Sequence, residues 1–492
     1  MGLVRTLRTN LWPGGYGCWF VAVIIVAYYF VREPILLHSS RVPDEIWYLQ
    51  LARERVPSGT VSELFQAFAG ETNRLGYGAL YWNLYSAMVF VSRKDAMFSM
   101  RILSLSFTAL TGWSIYVAGI RRQNRFAALA AVLWLALPAA WWSGKITGPE
   151  MMSVFFATAG VAVLSGHPGV GGRLTAFVFI GLSIGVKLNA APMAVFALLL
   201  LPLRPVRAVA EAVSALALGF VAANPSVVWN PGGYFAELAK MTLPPKHTWA
   251  FVERVFSNST WEWDGVLSGG LLQWSFPIFG WALLLAVWLY FRIEKRFMAA
   301  ASAAFVVWTI LFLQNGQFLG WYWFPCVPLI PLSLVYLRRQ EESHWRRAVA
   351  VVLLGALAAP LSISQQQHAL WRSRNVDAMP SVLSCVQQLA AGRGVGQVVD
   401  YTEIYEADFR TLEPKFYEPG RVVAGSQSYT WLTKYPRRAF PGSTLVLVGD
   451  RLRSVKNLEQ VERVLSDRKA TMGYGDAAVI GQCAFVTVIE MK

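Results

Sequence analysis

The sequence predicts a mostly α, polytopic membrane helix bundle of about eleven spans, followed by a small C-terminal α/β domain. Three observations predict it. Of 492 residues, 55% are hydrophobic and only 15% charged, with a mean hydropathy of +0.41, whereas soluble domains carry about 25% charged residues. The apolar residues gather in runs such as Cys18–Tyr29, Phe126–Trp142, Leu271–Tyr290 and Ala348–Ser362. Several reach the roughly 17–25 residues that a helix needs to cross a bilayer. Beyond Gln365 the pattern changes to short strand-like runs separated by turn residues.

In chain order, Arg5 and Arg8 precede a first apolar run that extends to about Leu37 with no small-residue cleavage site after it. It reads as a retained signal anchor. The spans are expected at 17–37, 101–120, 126–144, 150–166, 173–188, 190–203, 208–224, 271–291, 298–316, 320–337 and 347–364. Placing Arg5 and Arg8 inside also puts the clusters Arg121/Arg122/Arg125, Arg173, Arg204/Arg207, Arg292/Lys295/Arg296 and Arg338/Arg339/Arg346/Arg347 inside, as the positive-inside rule expects. Gly78–Val91 is apolar but short and aromatic, which suits an interfacial or re-entrant helix. Were it a span, it would turn all these clusters outward.

The predicted division is therefore 1–365 for the membrane module, with outer loops at 38–100 and 224–270, and 366–492 for a soluble domain outside the cytoplasm. In that tail Val395–Tyr401, Thr444–Val448 and Phe485–Ile489 read as strands. Met379–Ala391 and Asn457–Leu465 read as helices.

The net charge of +15 does not indicate nucleic acid, because the basic residues sit in short loops and form no reading face. Cys18 and Cys326 lie in or beside apolar segments and read as packing residues. Cys385 and Cys483 share the tail, where an oxidising compartment would permit a disulfide between them.

With this orientation the unusual polar residues fall on the outer face. Asp44 and Glu45 follow Pro43 at the start of a helix whose stripe of Tyr48, Leu49 and Ala52 would lie along the membrane. Carboxylates there either cap the helix or serve chemistry. Glu150 follows Pro149 and opens the next span; it marks the interface or faces a cavity. Lys187 either snorkels or binds a lipid phosphate. The loop 224–270 holds Lys246 and His247, a solvated pair or a phosphate site, among Trp249, Trp261, Trp263 and Asp264.

Taken in order, these residues resemble the polyprenyl-phosphate-dependent glycosyltransferases of the GT-C class, in particular the protein O-mannosyltransferase and lipid A aminoarabinose transferase superfamily. Asp44-Glu45 with Tyr48 is similar to that family's DExxY element. Arg74, in RLGYG with Tyr77, stands where the family often has a basic residue. Arg101-Ile102-Leu103-Ser104 resembles ARLLS, and Thr147-Gly148-Pro149-Glu150 resembles the second acidic motif. Gly181–Lys187 resembles GLxxGLxxLTK, and Trp321–Pro331, with Tyr322 and the nearby Gln317, resembles RYxLPxxP. The match covers about residues 15–340, and the tail carries no part of it.

The resemblance implies a membrane glycosyltransferase of the inner membrane with its N-terminus cytoplasmic. Its active site and C-terminal domain would be periplasmic. The donor would be a polyprenyl-phosphate-linked sugar, undecaprenyl phosphate being the carrier type, and the acceptor a glycan, lipid or protein. It implies Asp44, Glu45 and Glu150 as catalytic carboxylates, with Asp44 the base. Arg74, Lys187, Lys246 and His247 would bind the donor phosphate, and Tyr48, Tyr77, Tyr322 and Gln317 the substrates. No P-loop or Gly-rich strand-to-helix turn suggests a nucleotide, and no His/Cys cluster supports a metal, so no cofactor is expected. The rival readings are a transporter or flippase of the same lipids and a non-catalytic membrane assembly subunit.

Overall fold

The computed structural model describes residues 21–28, 48–49, 52, 55–56, 59–69, 78–92, 96–124, 126–137, 140, 148–166, 169–201, 206–241, 293–315, 325–337, 379–401, 422–424, 443–449 and 477–491. The expected spans at 271–291 and 347–364 and the expected helix at Asn457–Leu465 lie outside them. The chain divides into two compact units, Met1–Glu33 with Leu49–Gln365, and Pro34–Tyr48 with Gln366–Lys492.

In the first unit, α1 (Val61–Ala69) opens with a reciprocal cap. The Glu63 N–H donates to Thr60 Oγ1 at 3.2 Å, and the Thr60 N–H to Glu63 Oε2 at 3.3 Å. Each satisfies a donor that the first helical turn would leave unpaired. Then come α2 (Ala79–Val91), α3 (Ala96–Arg121), α4 (Ala127–Ala136), α5 (Glu150–Leu164), α6 (Val170–Val186), a 3-10 turn (Leu188–Ala190), α7 (Ala191–Leu200) and α8 (Val206–Ala223). The short α9 (Ser226–Trp229) and α10 (Pro231–Met241) follow, then α11 (Lys295–Asn315) and α12 (Leu329–Val335).

Prolines make several helices shorter than the apolar runs suggest. Leu137 turns extended (φ −65°, ψ 139°) ahead of Pro138, and Leu201 does the same (φ −66°, ψ 142°) ahead of Pro202. A residue before proline is driven out of the helical region by the ring. The helices that begin the expected spans at 126–144 and 190–203 thus end at Ala136 and Leu200, and Ala140 is helical again. Of the expected 320–337 span the structure describes the short α12, with Pro328 as its N-cap.

Helix pairing gives the bundle two distinct ends. Helix α3 runs parallel to α5, with Phe107 beside Phe155 (ring centroids 5.6 Å apart) and Arg121 donating to the carbonyls of Ala162 and Val163. Helices α5 and α6 are antiparallel, joined by two serines: Ser183 Oγ donates to Ser153 O at 2.7 Å, and Ser153 Oγ to Ser183 O at 3.1 Å. Helices α6 and α8 run parallel and nearly touch. A Cβ on Gly181 would stand 2.1 Å from Leu216 O, and one on Gly219 equally close to Val178 O.

One end gathers Arg121, Arg122, Ser165, Leu199, Glu294 and Tyr336. Arg122 pairs with Glu294 and lies over the Tyr336 ring at 4.1 Å, Tyr336 shares a 2.8 Å hydrogen bond with Ser165, and Arg296 donates to Leu199 O. Arg121 and Arg296 thereby cap the carbonyl ends of α5 and α7, where cations are favoured. Glu150, Lys187 and Asn224 mark the opposite end. Helix α2 starts there, since the Gly78 N–H donates to Val186 O at 3.1 Å.

Among the described residues two helices, Phe98–Arg121 and Val206–Ala223, are long and apolar enough to cross a membrane. The second turns Val206 (87% exposed), Val213 and Leu218 outward. An apolar helix with apolar residues on its open face suits lipid and is unfavourable in water.

In the second unit, α13 (Met379–Ala390) packs on a five-stranded sheet of β1 (Val395–Tyr401), β2 (Val422–Ala424), β3 (Ser443–Gly449), β4 (Ala477–Cys483) and β5 (Val486–Met491), in the order β2-β1-β3-β5-β4. The first three strands in that order are parallel, and β5 and β4 are antiparallel. Leu445, Leu447, Val486 and Val488 alternate onto the face that meets Val382 and Val386 of α13. Gly481 leaves room for Leu389, whose Cδ1 would lie 2.6 Å from a Cβ there.

A disulfide joins Cys385 on α13 to Cys483 on β4 across 98 residues of sequence. On the chain-entropy model, closing a loop that long stabilises by about 4–5 kcal/mol. Arg393 caps α13 by donating to Leu389 O and pairs at 2.8 Å with the buried Glu490.

Candidate functional site

The only two sequence-predicted site residues that the described structure brings together are Glu150 and Lys187. Pro149 starts α5, and Glu150 occupies its first turn, where a carboxylate complements the positive end of the helix dipole. The carboxylate folds back over Gly148: a Cβ there would sit 1.8 Å from Glu150 Oε2. Its other oxygen, Oε1, accepts from Lys187 Nζ. The two side chains are 10% and 5% exposed. A charge so far out of water is tolerated when its counter-charge is in contact. The sequence leaves Lys187 either snorkelling or free for a phosphate; the structure shows it buried and engaged with Glu150.

What aims Lys187 is a break in the backbone. Helix α6 ends at Val186, and Lys187 is extended (φ −154°, ψ 120°) before the 3-10 turn begins. An interrupted helix leaves carbonyls that the next turn would have satisfied. Here they are met from elsewhere: Asn224 Nδ2, just past α8, donates to Gly185 O at 2.8 Å, and the Gly78 N–H takes Val186 O. Both approaches need glycine. A Cβ on Gly78 would stand 2.2 Å from Gly185 O, and a Cβ on Gly185 would stand 2.5 Å from the Ala223 Cβ.

Tyr48 is 4% exposed, and its companions Leu49 and Ala52 are equally buried. Asp44, Glu45, Arg74, Tyr77, Lys246, His247, Gln317 and Tyr322 lie outside the described residues. Among the described residues, no group of His, Cys, Asp and Glu could hold a metal ion.

Two site-building residues escaped the sequence reading of roles. Asn224 looks there like the first residue of a loop, and the signal for it was an Asn ending an apolar helix opposite a Gly-rich one. Arg101 is 2% exposed and, by the register of α3 on α5, falls at the level of the Glu150 turn. Its ARLLS-like motif was the available signal.

No family model matches the chain. It is 26% identical over 355 residues to undecaprenyl phosphate-alpha-4-amino-4-deoxy-L-arabinose arabinosyl transferase 1 of Proteus mirabilis, covering 66% of this chain and 59% of that protein. The chain thus matches well under two thirds of that relative's length. The crystal structure of ArnT from Cupriavidus metallidurans bound to undecaprenyl phosphate aligns over 97% of this chain and 98% of its own, with a TM-score of 0.51 and 13% identity. That likeness shows a shared fold. An archaeal oligosaccharyltransferase from Archaeoglobus fulgidus, AglB with a peptide and a dolichol-phosphate, aligns over 88% of this chain and 70% of its own at a TM-score of 0.38 and 12% identity.

Proposed function

We propose that this chain is a GT-C membrane glycosyltransferase that moves a sugar from a polyprenyl-phosphate donor to an acceptor at the outer face of the membrane. The observation that carries the reading is the buried Glu150–Lys187 pair. It unites two separate sequence motifs at one end of a helix bundle whose fold is shared with an undecaprenyl-phosphate-bound transferase. The Cys385–Cys483 disulfide supports a tail in an oxidising compartment, outside the cytoplasm.

In this reading Asp44 takes the proton of the acceptor hydroxyl as its oxygen attacks the anomeric carbon, with inversion. The bond from that carbon to the phosphate oxygen breaks, and the electron pair leaves with the polyprenyl phosphate. Positive charge at the developing anion lowers the barrier, and Arg74 and Lys187, then Lys246 and His247, are the groups that would supply it. Lys187 changes partners: a phosphate that takes its ammonium releases the Glu150 carboxylate to accept from a hydroxyl of sugar or acceptor. Glu45 and Tyr48 shape the same segment as the base, and Tyr77, Tyr322 and Gln317 line the substrates. The displacement itself requires no metal or nucleotide.

Replacing Lys187 by Ala tests the reading. Weakened binding of polyprenyl phosphate to the purified protein is the expected result. Unchanged affinity removes Lys187 from the donor site.

A further inference from the structure

The break that aims Lys187 is itself held by a side chain and backbone from two other segments, and Asn224 supplies a polar side chain in that hold. Asn224 is 1% exposed, and its amide nitrogen reaches across to Gly185 O. Its amide oxygen is buried with no hydrogen-bond partner and faces Gly78, 3.1 Å from where a Cβ would sit. A buried amide oxygen left without a donor is costly, so Asn224 is poorly explained as a residue kept for stability alone. What its orientation does accomplish is to occupy the Gly185 carbonyl, while the Gly78 N–H occupies the next one at Val186.

With both carbonyls taken, the chain leaves the helix at Lys187, and the extended residue projects its ammonium towards α5 and Glu150 rather than along α6. The geometry therefore assigns Asn224 as a positioning residue that acts through Lys187. Gly78 is the second arm of the same device. It ties the start of α2, only four residues after Arg74 in the sequence, to the Lys187 break. The consequence for donor binding rests on the proposed role of Lys187 as a phosphate ligand; the positioning itself does not.

The experiment separates the two. In the purified full-length protein, the rate at which an amine-acylating reagent modifies Lys187 is followed by peptide mass spectrometry. Asn224→Ala is expected to raise that rate about tenfold, the weight of one hydrogen bond to a buried carbonyl. Ser226→Ala, which removes a nearby buried hydroxyl without a partner, is expected to leave it unchanged. An unchanged rate in Asn224→Ala overturns the proposal, as does an equal rise in Ser226→Ala. If Asn224→Ala does not fold, Asn224→Ser, too short to reach Gly185 O, is read in the same way.

A double-mutant cycle on polyprenyl-phosphate affinity completes the test. Asn224→Ala should weaken binding in the wild-type background and add nothing to Lys187→Ala. An equal further loss on top of Lys187→Ala shows that Asn224 acts independently and overturns the proposal. Faster acylation in Asn224→Ala together with unchanged affinity in Lys187→Ala upholds the positioning and refutes the donor role of Lys187.

Discussion

Replacing Lys187 by methionine would leave the Glu150 carboxylate at 10% exposure without the cation it now touches. Removing one partner of a buried ion pair costs about 3–5 kcal/mol, because the remaining charge stays out of water. Position moderates that figure here. Glu150 lies in the first turn of α5, and the helix N-terminus returns about 1 kcal/mol to a carboxylate. The expected loss is therefore about 2–4 kcal/mol. Glu150→Gln should cost a similar amount, because the stranded ammonium sits at the carbonyl end of α6, which favours a cation. The double variant Glu150→Gln/Lys187→Met carries no stranded charge and should lose about 1 kcal/mol, giving a coupling energy of about 3–7 kcal/mol by the cycle. Cys326 is free and fully buried, so its reaction with a thiol dye in a Cys18→Ser background follows unfolding of the bundle. Single variants that each lose less than about 1 kcal/mol, with an additive double, would refute a buried pair and leave Lys187 a solvated lysine.

Further expectations follow from particular contacts. Gly148→Ala puts a methyl 1.8 Å from Glu150 Oε2 and should reproduce the transfer defect of Glu150→Gln, while Gly171→Ala, which meets nothing within 4 Å, should leave transfer intact. Reducing the Cys385–Cys483 bond should destabilise the second unit by about 4–5 kcal/mol, seen as faster proteolysis of the tail in the intact chain with the bundle uncut. Protease added outside sealed, right-side-out membranes should digest the tail, and a protected tail would contradict an outer active site.

Within the described residues, Glu150 and Lys187 were legible as residues but not as a contact. Glu150 and Lys187 stand out as ionisable groups at the edges of apolar runs. Their pairing was hidden because it depends on α5 and α6 lying antiparallel with Ser153 against Ser183, a register that neither run encodes alone. Asn224 was hidden for a related reason: a helix-ending Asn is ordinary, and only the interruption of α6 gives it a carbonyl to hold. The bundle's shorter helices come from Pro138 and Pro202, which hydropathy overlooks because the residues around them remain apolar.

In the second unit, β1 lies where its Val-rich run places it. Strand β4 was missed because a register shift between Val479 and Gly481 breaks its alternation, and β2 because three residues give no period to read. The pairing of Cys385 with Cys483 was legible as an option because the tail holds just these two cysteines.

Sugar transfer itself is the decisive observable. Purified protein in lipid, given a polyprenyl-phosphate-linked sugar and an acceptor extract, should release free polyprenyl phosphate, and Asp44→Asn should slow that release by about 10²–10⁴-fold, the usual contribution of a general base. Release at the wild-type rate from a folded Asp44→Asn variant would contradict the base assignment, and no release from the wild type with any such donor would contradict the glycosyltransferase reading.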